Sequence, residues 1–185
     1  MRKRPEGDSK AMGEVSAGFA ANAAAATRTT AVHAIATLHE MNMQSTKSLT
    51  YDPQLGEFGR NIKKEARIGP SAFGQDISWL AAVVYHELAH SDQFDIYAKE
   101  GVELTASEAR SETERRLVAL DEVEAFFLTH KERGNLGLSK AQADYIWRRV
   151  VIKAIDVDDP DARTLIGQKR FGEARLLLIG KLKSK

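Results

Sequence analysis

From Gln75 onward the apolar positions take a helical period. Ile77, Leu80, Ala81, Val84 and Leu88 fall at i, i+3, i+4, i+7 and i+11, the spacing of a helix with one buried face. Asp76 is placed to cap this helix and Gly101 to stop it, which predicts helix over about 76–99. Upstream, residues 14–41 are rich in alanine, with Val15, Phe19, Val32, Ile35 and Leu38 as larger apolar groups, and predict one or two helices. Residues 42–74 carry Pro53, Gly56, Gly59, Gly69, Pro70 and Gly74 and read as loops with short strands. Within them Glu65–Phe73 is the best strand, expected at a sheet edge because proline cannot donate to a central ladder.

Downstream, Thr105-Ala-Ser-Glu108 has the form of a capping box. It predicts a helix over about 105–132 through Leu117, Leu120, Val123 and Phe127, ending before Gly134. Ser139 and Gln142 cap a further helix carrying Tyr145, Ile146, Trp147, Val150 and Val151, with Trp79 and Trp147 as core anchors. Asp156–Asp161 reads as a polar loop, and 162–182 as a last helix interrupted at Gly167 and Gly172. Residues 1–10 are polar and are expected to be a disordered tail, leaving 11–182 as one domain. The fold class is α+β, mostly helical, with a small sheet.

Composition narrows the chemistry. A formal net charge of +1 among 29% charged residues gives no broad field for nucleic acid. No apolar stretch reaches membrane-spanning length, so neither partner is expected. Pro5, Glu6, Asp8 and Lys10 interrupt the place where a signal peptide needs its apolar core. The expected location is the cytoplasm, or outside it by a route that reads no such signal. There are 0 cysteines, so any metal must take histidine and carboxylate ligands.

Such ligands are present. His86-Glu87-Leu88-Ala89-His90 places two histidines four residues apart on the 76–99 helix. Four residues are about 400° of helix, so both rings leave one face, one turn apart. Both can bind one zinc through imidazole nitrogen. Glu87 lies about 100° around from His86, too far round to be a ligand yet placed to reach a water on the metal. There it can act as general base and then general acid. A third ligand is needed. Gln93 and Ile96 stand where a metzincin would need glycine and histidine. Asp121, Glu122 and Glu124 instead sit in the apolar run Leu117–His130, where carboxylates are rarely solvated by accident. Glu122 and Glu124 are about 200° apart on a helix, so only one of them can face the metal.

The combination of His86-Glu87-Leu88-Ala89-His90 with Asp121-Glu122-Val123-Glu124-Ala125 on the following long helix resembles the gluzincin group of zinc metallopeptidases. The resemblance implies Glu122 as third ligand, with Glu124 the alternative. It implies a zincin-like domain whose edge strand near 65–73 precedes the active-site helix, that helix packing against the glutamate helix. It also implies an oxyanion donor, with Tyr145 and His130 as candidates ahead of Tyr85 and Tyr97. Ile68–Phe73 followed by Gln75–Leu80 is further similar to small HExxH domains of bacterial toxins and effectors. That implies a protein or peptide substrate and an inhibitor or immunity partner. Phe126 stands where an aspartate supporting a ligand is common, and residues 11–60 and 155–185 have no counterpart. These departures keep a second reading open, a non-catalytic zincin-like binding or accessory protein.

Overall fold

The computed structural model describes residues 6–104, 109 and 111–184. In chain order they form α1 (Glu6–Gly18), α2 (Ala25–Leu38), β1 (Ser48–Tyr51), β2 (Gly59–Ile62), β3 (Glu65–Ile68), α3 (Pro70–Phe73), α4 (Ile77–Lys99), α5 (Glu112–Lys131), α6 (Lys140–Asp156), α7 (Pro160–Gly167) and α8 (Phe171–Lys183). This is a mostly helical α+β chain. It divides into two compact units, Met1–Asp92 with Glu132–Leu138, and Gln93–Lys131 with Ser139–Lys185.

In the first unit the alanine-rich stretch becomes two helices. α1 begins at Glu6, so residues 6–10 are helical where a tail is expected. The helix pair packs on the sheet through α2, where Arg28 donates to the Tyr51 hydroxyl (2.6 Å) and the Thr29 hydroxyl accepts from Tyr51 N–H (3.0 Å). The sheet order is β1-β3-β2, with β1 parallel and β2 antiparallel to β3. Expectation and structure part here. β3 is the central strand, and β2 is an edge. The strand ends at Ile68, and Pro70 opens the short helix α3, where its missing N–H costs no ladder bond. β2 turns into β3 through Lys63 and Lys64, both at positive φ (50° and 72°), the two-residue form that matches strand twist. Asn61 Oδ1 accepts from Lys64 N–H (3.1 Å) across this turn. Inward-facing Ala66 and Ile68 join Val15, Val32, Ile35, Leu49, Leu80, Val84 and Leu88 among the buried residues.

α4 follows its predicted bounds closely. The Asp76 carboxylate accepts from Trp79 N–H at 2.8 Å, and Gly101 takes φ +63°, a conformation open to glycine.

In the second unit α5 carries Leu117, Leu120 and Val123 into a core completed by Val150, Val157, Phe171, Leu178 and Ile179. The expected capping box at Thr105–Glu108 lies outside the described residues. The helix starts at Glu112, with a reciprocal pair at Ser111 and Glu114: Ser111 N–H donates to Glu114 (2.6 Å), and Ser111 Oγ accepts from Glu114 N–H (3.2 Å). The Ser139–Gln142 box forms as expected. Trp147 does not anchor a core. It is 44% exposed and packs on His130, ring centroids 5.0 Å apart. The expected last helix is two. Asp159 caps α7, Pro160 takes its first position, and Lys169 at φ +61° separates it from α8. Gly172 lies within α8 and breaks nothing.

Candidate metal centre

The 3.6-residue period that buries Leu80, Val84 and Leu88 leaves His86 and His90 half-buried on another side of α4. Their Nε2 atoms are 3.2 Å apart, with the rings near perpendicular at 84°. Two nitrogens sharing one tetrahedral zinc at about 2.0–2.1 Å each would stand about 3.3 Å apart. The pair is therefore spaced as a common ion would require. His86, His90 and Glu122 each offer one ligand atom, and these atoms all lie within 4.8 Å of one another. The donor set, two imidazoles and a carboxylate, fits the three-ligand pattern of a catalytic zinc site with a fourth position left for solvent.

Glu124, the alternative third ligand, is committed elsewhere. Its carboxylate accepts from Arg175 Nη2 (2.5 Å) and Gln93 Nε2 (3.1 Å). Asp121 accepts from Arg175 Nε and Nη2 at 3.0 and 2.8 Å and from the Tyr97 hydroxyl at 2.8 Å. Burial works against the Arg175 charge, but Asp121 and then Glu124 outweigh it and hold its pKa above the ordinary guanidinium value. Arg175 stays a cation with no solvent exposure. Tyr97 is raised, first by burial and then by Asp121, so its hydroxyl remains a donor.

No family model, no curated protein and no solved structure matches the chain.

Glu87 is 6% exposed and lies beneath β2. Gly59 and Asn61, two residues apart, share one face of that edge strand, and both meet α4. Asn61 Nδ2 donates to the Glu87 carbonyl (2.6 Å) and to Ser91 Oγ (2.8 Å), and Thr46 Oγ1 donates to the same Ser91 oxygen (2.9 Å). At Gly59 a Cβ would stand 2.6 Å from Glu87 Oε1 and 2.7 Å from its Cγ. The absence of a side chain is what admits the carboxylate to that place.

The oxyanion candidates fall in different surroundings. Tyr145 is 47% exposed, and the His130 ring lies against Trp147. The Tyr97 hydroxyl is engaged by Asp121. Tyr85 is raised by burial first and then by Glu132 and Asp92, which keeps it a neutral hydroxyl.

Sequence reasoning missed Gly59, Asn61 and Arg175. For Arg175 a signal existed: it stands in the apolar run Ala174–Ile179, as Asp121 and Glu124 stand in theirs. Gly59 and Asn61 lie in a loop-like composition with no such contrast. No described helix is long and apolar enough to cross a membrane.

Proposed function

We propose that the chain is a zinc-dependent peptidase on a zincin-like scaffold, with His86, His90 and Glu122 as zinc ligands and Glu87 as the proton-transfer residue. One observation carries the reading. Three donors of the right chemistry converge, and the residue after the first histidine is a carboxylate that lies against Gly59 of β2. A bound zinc supplies Lewis acidity, lowering the pKa of a coordinated water to about 7 and polarising a carbonyl.

The protein's own groups then have defined tasks. The two imidazoles and the Glu122 carboxylate would hold the metal. Glu87 accepts a proton from the attacking water as its oxygen bonds to the peptide carbonyl carbon. It returns that proton to the departing amine when the C–N bond breaks. The carboxylate ends the cycle in the charge state in which it began. β2 is the sheet edge beside Glu87, and its unpaired side can align an extended peptide by backbone hydrogen bonds.

The test is Glu87→Gln, which removes the proton acceptor and keeps the ligands. Zinc should remain stoichiometric while hydrolysis of a proteome-derived peptide library falls by about 10²-fold or more. Wild-type hydrolysis by a zinc-loaded Glu87→Gln protein would exclude this assignment.

A further inference from the structure

Among the described residues Arg175 is the largest fully buried side chain, and a charged one. Its two carboxylate partners, Asp121 and Glu124, flank Glu122 in the chain. The α4 residues Gln93 and Tyr97 complete the cluster: Gln93 Nε2 donates to the Asp121 carbonyl (3.0 Å) and to Glu124, and Tyr97 donates to Asp121. The Arg175 guanidinium also lies over the Tyr97 ring at 5.8 Å. Side chains from α4, α5 and α8 thus meet at one buried point.

Such a cluster is a poor way to gain stability. Desolvating a guanidinium and two carboxylates costs much of what their attraction returns, and apolar residues of similar volume often serve as well. The apolar core around Leu117, Leu120 and Val123 already packs α5. What charged groups add is directionality. Asp121 and Glu124 are about 300° apart along α5, hence neighbours on one face, while Glu122 leaves the helix about 100° further round from Asp121. A planar fork gripping both flanking carboxylates fixes the rotation of this turn and its position along the axis. Metal ligation tolerates errors of only about 0.2 Å.

We propose that Arg175 is a positioning residue for Glu122, acting through Asp121 and Glu124 to fix the turn of α5 that presents the ligand. This rests on the metal reading above. Arg175→Lys tests it, because lysine keeps the charge and loses the fork. Zinc affinity of the full chain would be measured by competition with a chromophoric chelator, and ligand geometry by the visible spectrum of the cobalt(II)-loaded protein. Arg175→Lys should weaken zinc by about tenfold or more, as loss of a ligand-orienting partner does, and alter the cobalt spectrum. Asp159→Ala removes a helix cap in the same unit, remote in sequence from Glu122. It should lower the melting temperature and leave both metal readouts unchanged. If Arg175→Lys does not fold, Tyr97→Phe, which removes only the hydroxyl donated to Asp121, takes its place with the same expected direction.

Wild-type affinity and spectrum in a folded Arg175→Lys or Tyr97→Phe protein would overturn the positioning role. So would an equal loss of affinity in Asp159→Ala. Failure of the unaltered chain to bind zinc would instead overturn the metal reading itself.

Discussion

Replacing Gly59 by alanine probes the contact that places Glu87. The three atoms nearest a Cβ at this position all belong to Glu87: Oε1 at 2.6 Å, Cγ at 2.7 Å and Cδ at 2.9 Å. Ordinary contact begins near 3.4 Å, so Oε1 would have to retreat by about 0.8 Å. Glu87 has little room to do so, being 6% exposed. Overpacking of this kind costs about 1–3 kcal/mol. Gly59 is not among the positive-φ glycines, so alanine fits the backbone, and by reducing unfolded-state freedom it would otherwise contribute about 0.4–1 kcal/mol. The two effects separate in a double-mutant cycle. In the wild-type background Gly59→Ala should destabilise by about 1–3 kcal/mol. In a Glu87→Ala background, where all three contacting atoms are gone, it should be neutral or stabilising by up to about 1 kcal/mol. The assay is urea unfolding of four proteins, and the coupling should exceed the roughly 0.5 kcal/mol within which independent sites add. Equal changes in both backgrounds would refute the claim that Gly59 shapes the seat of Glu87. In a zinc-loaded protein the same displacement should cost hydrolysis roughly 10²-fold, the effect of about 1 Å of misplacement.

The other predictions concern the ligands and the pH response. Glu122→Ala should abolish stoichiometric zinc binding. Glu124→Ala should retain binding at reduced affinity, but lose roughly 3–5 kcal/mol of stability because buried Arg175 loses a carboxylate; calorimetric zinc titration and urea melts check both. Asp159 is held below the ordinary carboxylate range: burial opposes its charge, but hydrogen bonds from Lys181 and Ala162 N–H outweigh it. A depressed folded-state pKa contributes stability that is complete above the unfolded value, near about 3.9, and is lost as pH falls through the folded value. Asp159→Ala should therefore cost about 0.5–2 kcal/mol at pH 7, and urea melts should show that gap closing below about pH 4.

Elements announced by a local rule were legible in the sequence. α4 combines an unbroken apolar period with Asp76 at one end and Gly101 at the other, and its bounds, Ile77–Lys99, nearly match the expectation. The Ser139–Gln142 box was equally readable. Strand order was not, because pairing depends on partners distant in the chain. The β2–β3 hairpin turns on Lys63 and Lys64 at positive φ, a conformation usually advertised by asparagine or glycine, so β2 carries no local signal and the edge expectation falls on β3. At the site, spacing on one helix sufficed to pair His86 with His90. What sets Glu124 apart from Glu122 is its partner Arg175, 51 residues beyond it in the chain. The helix of about 105–132 was expected as the carrier of these carboxylates, and α5 is that carrier from Glu112.

The central claim is that His86, His90 and Glu122 hold one zinc. Anomalous diffraction from crystals of the zinc-loaded protein measures this directly. One peak per chain is expected, with His86 and His90 nitrogens at about 2.0–2.1 Å and a Glu122 oxygen at about 2.0–2.2 Å, and the fourth position open to solvent. A peak ligated by Glu124 in place of Glu122, a fourth protein ligand closing the site, or no peak at the histidine pair would contradict it.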